Sequence, residues 1–424
     1  FCIAFAKDAE EIVLDGNSFR NLKKIGDYAF AKASNLTGTL VLPEGIGSIG
    51  MQAFAVTGIS RVVLPNSLIS IGWWSFNSCE NLESVIGNNN ESAISTLDKT
   101  SFRACNKLAS VEINASKDQV DIPDGTFKNT VTVRYTLPSI EESSAETERL
   151  ISAAQTGGTI ELNNDVRLMK TVTIPSGTTL TITTSEGASL IMLANKNIGG
   201  PMFKVENDAH LILDGDISYQ CQWLDDNVFA EVKGTLTLKK GEISRVETKS
   251  TDKGAIKVSG GTFNMDGGII TRCTFGNQYS GSVLLDGDGA TMLMSAGEIT
   301  GNDAEVDNAT PGVLVKENST FTMTGGTISN GNGSRGAGVL VGLPGTSYNE
   351  QTPAKFEMKG GMISNNVANP TTSTVNAGGG GVFVQDNAEF TMTDGTITGN
   401  RTKGNGMGGG VATANPLQDN GGRF

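Results

Sequence analysis

The phrase "STFTMTGGTISNGN" at residues 319–332 returns as "AEFTMTDGTITGN" at residues 388–400. A motif that recurs every roughly 20–50 residues is typical of solenoids, in which each repeat is one structural unit. The phrase has looser copies upstream when it is aligned on the Ile that precedes Ser or Thr. The aligned positions are Ile217, Ile243, Ile270, Ile299, Ile328, Ile363 and Ile397, with spacings of 26, 27, 29, 29, 35 and 34 residues. The second half of the chain is therefore an array of repeats.

Two apolar columns run through this array, seven and five residues before the aligned Ile. The first is Leu236, Phe263, Met292, Phe321, Phe356 and Phe390, and the second is Leu238, Met265, Met294, Met323, Met358 and Met392. A further strand-like segment, such as "GVLV" or "GVFV", precedes each phrase. Because the columns persist while the turns vary in length, we predict a parallel β-helix with three short strands per coil and stacked like residues inside.

A different repeat occupies residues 1 to about 137. The motifs "IGDYAF", "IGMQAF" and "IGWWSF" end at Phe30, Phe54 and Phe76, and looser copies end at Phe102 and Phe127. These Phe residues are 24, 22, 26 and 25 residues apart, and strand-like segments such as "RVVLP" lie between them. The period is that of leucine-rich repeats, so we predict a second solenoid in which each unit is buried only by its neighbours.

The composite motif "IGxxAFxxCxxLxxVxLP" resembles the BspA-like leucine-rich repeats of bacterial surface antigens, over roughly the first third of the chain. Cys79 and Cys105 occupy that family's usual Cys position. We expect buried thiols there in preference to a disulfide, because side chains on adjacent coils point the same way. The "GGTISxN" phrases resemble the right-handed parallel β-helix of the pectin-lyase-like superfamily, over roughly residues 145–415. These resemblances imply a secreted or bacterial cell-surface protein.

The repeat pattern of the sequence gives way near residue 140 to polar residues followed by a short amphipathic stretch. Leu150, Ile151 and Ala154 are spaced for one face of a short helix, and Gly157 stops it. We predict leucine-rich repeats over residues 1–137, a linker over 138–147, and a β-helix over 148–424 that begins with this helix as a cap. The first residues align with the interior of a repeat, so we also expect the whole protein to extend further towards its N-terminus.

Composition argues against several classes of protein. The net charge of -13 in 424 residues opposes nucleic-acid binding, because phosphates would repel it. No apolar run approaches the roughly 18 residues of a membrane-spanning helix, so we predict no membrane insertion. The five cysteines form neither a complete disulfide framework nor a C-x-x-C pair. We predict no cofactor and no metal ion.

Catalysis by glycoside hydrolysis requires two carboxylates at a defined separation. The outward positions of the strand before each phrase are Lys204, Glu231, Lys257, Leu284, Leu314, Leu340 and Phe383, with a single carboxylate among them. Asp225 and Asp226 resemble the paired aspartates of polygalacturonase-like hydrolases, but that family's Asn-Thr-Asp, Gly-His-Gly and Arg-x-Lys motifs are absent. His210 and "DGDGA" at residues 286–290 are interpreted as surface residues. We predict no enzyme, with a polysaccharide lyase or hydrolase using Asp225 and Asp226 as the alternative.

Two groups of residues on the first array are candidates for ligand binding. Trp73 and Trp74 occupy the variable slots of the repeat, where another copy carries Tyr28. Exposed aromatic rings stack on sugars and anchor protein partners, whereas the alternative is packing beneath the insertion "NNNESAIS". The second group is an outward apolar stripe on the sheet, Val41, Val63 and Ile86 beside Arg61. This stripe is either a partner site or a consequence of strand propensity.

An outward stripe on the second array, formed by Leu284, Leu314, Leu340 and Phe383, is a third candidate. The insertions after Gly342 and Asn366 are long enough to cover it instead. Together the observations predict a non-catalytic, adhesin-like protein that binds a host extracellular protein or a glycan. A stalk that displays another domain is a second alternative.

Overall fold

The chain divides into two units, Phe1–Glu142 and Ser143–Phe424, in the computed structural model. The structure describes residues 11–13, 22–87, 93–195, 198–221, 228–287, 289–306, 309–343, 353–369, 378–386, 388–403 and 408–414. The strand pairs in both units are parallel, and short turns join the strands. This arrangement confirms the predicted mainly β solenoid fold.

The first unit has two parallel sheets, one of longer strands and one of two-residue strands. The first contains, in order, Glu11–Val13, Thr37–Val41, Gly58–Leu64, Ser84–Gly87, Ser110–Ile113 and Thr132–Tyr135. The second contains Lys24–Ile25, Ser48–Ile49, Ser70–Ile71 and Thr96–Leu97. A short 3-10 helix spans Lys117–Gln119. In the described residues, each coil thus contributes a strand to the first sheet, and four coils also contribute a short strand to the second.

A ladder of phenylalanine rings fills the interior of the first unit. Phe30, Phe54, Phe76, Phe102 and Phe127 stack in sequence, with centroid distances of 5.0, 5.2, 5.3 and 5.4 Å. The first three contacts are near parallel, whereas the rings of Phe102 and Phe127 are tilted by 33°. The predicted repeat register therefore places one aromatic ring per coil in a continuous stack.

Cys79 and Cys105 line the same interior as free, buried thiols. Cys79 Sγ donates to the carbonyl oxygen of Phe54 at 3.1 Å, and Cys105 Sγ donates to that of Phe76 at 3.0 Å. The hydrogen bond with Cys79 and the burial of the site raise the pKa of Cys105. Both thiols therefore act as small core residues that satisfy turn carbonyls.

A single α-helix, Ile140–Thr156, occurs in the described residues and begins at a capping box. Ser139 Oγ accepts from the N–H of Glu142 at 3.2 Å, and Glu142 Oε2 accepts from the N–H of Ser139 at 2.9 Å. The helix therefore includes most of residues 138–147, which the sequence predicts as a linker. Leu150 and Ala154 are buried in the core of the second unit, where the helix packs on the first coil.

The second unit is a β-helix with three parallel sheets. The first contains Val172–Ile174, Phe203–Val205, Ala230–Val232, Gly254–Val258, Gly281–Leu285, Thr310–Val315, Val339–Val341, Val382–Val384 and Val411–Thr413. The second contains Gly158–Leu162, Val166–Leu168, Thr179–Thr184, Leu190–Ala194, His210–Leu213, Ile217–Gln220, Thr235–Leu238, Glu242–Ser244, Thr262–Thr271, Thr291–Thr300, Thr320–Met323, Thr327–Ser329, Ala354–Ser364 and Ala388–Thr398. The third contains Glu247–Thr248, Thr274–Phe275, Asp303–Ala304, Asn332–Gly333, Val367–Ala368 and Arg401–Thr402.

The strand registers confirm the two predicted apolar columns. Leu236 pairs with Phe263, which pairs with Met292, and the same register continues to Phe390. These side chains are buried, with one exception in the last strand of the sheet. Met392 is 36% exposed, because Ala388–Thr398 pairs with a single strand among the described residues. The repeated phrase of the sequence is therefore architectural over its whole length.

Candidate binding surfaces

An aromatic surface, formed by Tyr28, Met51, Trp73 and Trp74, lies on the turns of the first unit. The backbone N–H of Tyr28 donates to the carbonyl of Met51 at 2.8 Å, and that of Gln52 donates to the carbonyl of Trp73 at 2.9 Å. Successive turns are thus held one above the other, so their variable residues form a column. Tyr28 is 52% exposed and Trp73 is 61% exposed. Contiguous exposed apolar side chains are typical of contact surfaces, whereas single ones are common on any protein.

The two tryptophans of the aromatic surface have different roles. Their ring centroids are 6.4 Å apart with a 39° tilt, and Trp74 is half-buried whereas Trp73 projects outward. The left-handed backbone at Trp74, with φ of 52°, repeats at Tyr28 and Gln52, so each turn presents its variable pair in the same way. The Nε1 of Trp74 is buried and has no hydrogen-bond partner among the described residues. Trp74 therefore supports Trp73, which is 61% exposed. Residues 88–92 of the insertion, beneath which the alternative places the tryptophans, lie outside the described residues.

The predicted stripe on the sheet of the first unit is in register but only partly exposed. Val41 pairs with Val63, which pairs with Ile86, and all three are half-buried. The column then becomes charged, because Ile86 pairs with Glu112, which forms an ion pair with Arg134 at 3.3 Å. Arg61 is exposed in the adjacent column beside Thr39 and Ser84. The stripe is thus narrow, and its apolar side chains are less exposed than Tyr28 and Trp73.

The predicted stripe on the second unit is not a surface. Leu284, Leu314, Leu340 and Phe383 are 0% exposed and form a small core of their own with Ala412 and Ala414. Their side chains do point away from the main core, so the predicted outward orientation holds. The prediction that they bind a ligand is wrong in its premise, because another layer of the protein covers them.

Glycine-rich segments supply this covering layer in the later coils. The N–H of Gly336 donates to the carbonyl of Gly378 at 3.1 Å, and that of Gly379 donates to Gly408 at 3.0 Å, so these segments form their own ladder. A Cβ at Gly379 would lie 2.8 Å from the Cβ of Phe383. In the sequence, this layer corresponds to the glycine runs at residues 378–381 and 408–410, each of which directly precedes a strand. Much of both long insertions, at 344–352 and 370–377, lies outside the described residues.

Neither predicted catalytic fallback can be placed, because Asp225 and Asp226 lie outside the described residues. His210 begins a strand, and its Nε2 lies 2.8 Å from Thr237 Oγ1. Burial and the charge of Lys239 lower the pKa of His210. The ring is therefore neutral at neutral pH and bound to a neighbouring coil. Its outward position agrees with the sequence interpretation.

A carboxylate groove of about 940 Å³ runs across several turns of the second unit and was missed by sequence reasoning. Its ionisable lining is Glu186, Asp214, Asp216, Lys239, Lys240, Glu242 and Glu298. Lys239 pairs with Asp214 at 3.3 Å, and Arg272 pairs with Glu242. The lining comes from the turns before the aligned Ile residues, such as "DGD" and "KKGE". It contains none of the outward positions of the strand that precedes each phrase.

An ionic cluster on the outer surface accounts for the segment at residues 286–290. Lys316 contacts both Asp252, at 2.6 Å, and Asp286, and Lys257 contacts Asp286 at 2.7 Å. No group of three or more metal-ligating side chains occurs within the described residues. Burial opposes ionisation of Asp286, but hydrogen bonds and charge from Lys257 and Lys316 outweigh it and lower the pKa of Asp286 below its ordinary value. The segment therefore takes part in ion pairing across three coils.

The lowered pKa of Asp286 predicts a specific pH dependence of stability. Since the folded pKa lies below the unfolded one, the contribution is complete above the unfolded pKa and is lost as the pH falls through the folded value. We expect the difference in melting temperature between the native chain and Asp286→Asn to be constant above about pH 5 and to shrink below about pH 4. Calorimetry across this range tests it, with the exposed Asp303→Asn as the control. A difference that persists at low pH would contradict the ion-pair explanation.

Comparison with known proteins identifies one of the two units. The fold and its aromatic ladder define a leucine-rich, parallel-β repeat protein. Residues 14–144 match a protein-family model described as "BspA type Leucine rich repeat region", in 6 copies. The N-terminal part of the chain is therefore a BspA-type leucine-rich repeat region, which confirms the first of the two resemblances.

Two further comparisons add little to this result. The chain is similar to a solved leucine-rich repeat protein from Bacteroides ovatus, with 13% identity, a TM-score of 0.19, and coverage of 62% of this chain and 79% of that one. No curated protein sequence matches the chain. Among the described residues, no helix has the length and apolar character needed to cross a membrane.

Proposed function

We propose that this protein is a non-catalytic protein of the bacterial cell surface or the secreted fraction. It binds a host extracellular protein or a glycan through the aromatic surface of its leucine-rich repeats. We assign the second unit to the right-handed pectin-lyase-like β-helices. The observation that carries the proposal is the 61% exposure of Trp73 next to the half-buried Trp74.

The chemistry of the aromatic surface suits either class of ligand. An indole ring offers a flat apolar face for a sugar ring, and tryptophan and tyrosine are enriched among residues that dominate protein interfaces. The hydrogen-bonded turns fix the column, so little ordering is needed upon binding. The acidic chain, with net charge -13, favours neutral or basic partners over anionic ones.

Binding of the purified chain to matrix proteins, mucins and polysaccharides tests this proposal. We expect Trp73→Ala to weaken retention by about tenfold or more, since it removes the most exposed ring of the surface. Trp73→Phe keeps an aromatic face and should retain most of the affinity. Ile140→Ala is the matched control, because Ile140 is 45% exposed and lies outside the aromatic surface. Equal retention by Trp73→Ala and the native chain would contradict the proposal, and no retention at all would favour a stalk.

The carboxylate groove supports a second candidate, a polysaccharide lyase or hydrolase. Five carboxylates line one groove of about 940 Å³, and such enzymes need two of them at a suitable separation. Two of the five are already paired with cations, which is why we rank this function second. The same panel should be scored for released reducing or unsaturated ends. Release that Asp216→Asn or Glu298→Gln abolishes would replace the binding proposal with catalysis.

A further inference from the structure

A cavity of about 400 Å³ opens between the last two Phe-bearing turns of the leucine-rich repeats. Residues 99–108 form one wall, and residues 125–131 form the other. Here the ring stack changes, because Phe102 and Phe127 are tilted by 33° while the preceding pair, Phe76 and Phe102, is tilted by 2°. The cavity lies apart from the aromatic surface, and the proposed function makes no use of it.

The backbone ladder between turns is interrupted at this cavity. In the preceding turn the N–H of Phe76 donates to the carbonyl of Ser101, and the N–H of Ser78 donates to that of Arg103, both at 2.8 Å. The equivalent donors one repeat later are the N–H groups of Phe102 and Ala104. Neither has a hydrogen-bond partner in the described part of the unit. By the repeat geometry both face the cavity, and unpaired backbone donors need an acceptor or water.

The rim of the cavity is cationic although the protein is acidic. Lys99, Arg103 and Lys128 line it, and its lining contains no acidic side chain. The Cε of Lys99 would lie 3.5 Å from a Cβ at Gly125, so its stem crosses the cavity wall. Lys128 Nζ contacts the neutral Asn106 Oδ1 at 2.6 Å. No ion pair within the described residues involves these three cations, so their charge is available to an anion.

The floor of the cavity is apolar. Phe102, Leu108, Phe127 and Val131 contribute to it, and Phe127 and Val131 are only partly buried. Apolar walls with a few convergent polar groups are typical of small-molecule sites, and 400 Å³ lies within their usual range of about 300–1,000 Å³. An apolar floor beneath cations and N–H donors fits a ligand that has a charged head and an apolar body.

We propose that this cavity binds a small amphipathic carboxylate. The carboxylate lies among Lys99, Arg103 and Lys128 and accepts hydrogen bonds from the N–H groups of Phe102 and Ala104. Its hydrocarbon or aromatic body fills the floor between Phe102 and Phe127. Charge complementarity selects an anion, and charge-assisted hydrogen bonds to a carboxylate are stronger than neutral ones.

Calorimetric titration of the full chain with octanoate tests the proposal, with octanol and acetate as probes of the body and the head alone. We expect equimolar octanoate binding that is at least about tenfold tighter than that of either control. Arg103→Gln and Lys128→Gln should each weaken octanoate binding about five- to tenfold, and added salt should weaken it further. Lys107→Gln is the matched control, because Lys107 lies in the same wall but does not line the cavity.

Three outcomes would overturn the proposal. They are the absence of octanoate binding, equal affinity for octanol, and equal affinity of the native chain and both cavity variants. The variants change exposed side chains, so loss of folding would not explain a negative result. Trp73→Ala should leave octanoate binding unchanged, which keeps this result separate from that of the aromatic surface.

Discussion

Phe76→Ala should lower the free energy of unfolding of the leucine-rich repeat unit by about 3–5 kcal/mol. Phe76 is fully buried and stacks on Phe54 at 5.2 Å and on Phe102 at 5.3 Å, so its loss opens a cavity between two coils. In a solenoid each repeat is stabilised by its nearest neighbours, and a break in the middle uncouples both halves. Urea unfolding followed by tryptophan fluorescence measures the effect, because Trp73 and Trp74 lie in this unit.

Phe127→Ala is the matched control for this prediction. Phe127 ends the ring stack, is only partly buried, and has one neighbouring ring at 5.4 Å. We expect a loss of about 1–2 kcal/mol, since less apolar area leaves water during folding. Equal losses for the two variants would show that the stack is not the source of the unit's stability. Hydrogen exchange in residues 143–424 should be unchanged in both variants.

The interior of both units could be predicted from the sequence because each coil of a solenoid places the same kind of side chain at the same core position. The position of Phe76 between two other buried rings requires a flat apolar side chain, and Phe54 and Phe102 are likewise each stacked between two rings. Met294 and Met323 follow the same logic in the second unit, where strand register places them in one buried column. Turns vary in length without disturbing these columns, so period and residue type together identified the core.

The start of the helix could also be read from the sequence, but only by its capping residues. The pattern Ser139 to Glu142 is a capping box, which satisfies two backbone donors at the first turn. Polar residues before the apolar face of the helix suggested a linker, because amphipathic spacing begins later, near Leu150. The start of the helix is therefore set by side-chain hydrogen bonds to the backbone. The apolar pattern does not mark it.

Surface features depended on chain segments that the repeat pattern does not specify. An outward side chain such as Leu340 is predicted to be exposed when only its strand is considered. Glycine-rich backbone from the same array nevertheless covers it. The carboxylate groove arises where several turns come side by side, and its members are scattered from Glu186 to Glu298. The cavity beside Phe102 lies where two backbone hydrogen bonds between turns are missing within the described residues, and the sequence has no marker for their loss. Such sites can be recognised only from the three-dimensional structure.

Gly312→Ala should lower the melting temperature of the β-helix by about 5–10 °C, which corresponds to a loss of about 3 kcal/mol. A Cβ at Gly312 would lie 1.7 Å from the carbonyl oxygen of Gly338. That oxygen accepts from the N–H of Val313 at 3.0 Å, so it cannot move away without breaking the ladder between coils. No rotation of a side chain relieves the clash, because the obstructing atom belongs to the backbone.

The array contains its own graded series for this prediction. Gly338, Gly381 and Gly410 occupy the equivalent position before the strands of later coils. A Cβ at Gly338 would lie 2.4 Å from the carbonyl oxygen of Gly381, and a Cβ at Gly381 would lie 2.6 Å from that of Gly410. At Gly410 the nearest atom is Ile397 Cγ2, at the ordinary distance of 3.7 Å. Gly410→Ala should therefore be neutral or stabilising by about 0.4–1 kcal/mol, since it restricts the unfolded chain. Calorimetry of the four Ala variants should show losses in the order Gly312, Gly338, Gly381 and Gly410. Similar losses at all four positions would mean that glycine is needed there for its backbone freedom. The close approach of neighbouring coils would then not be the reason for glycine over the buried outward stripe.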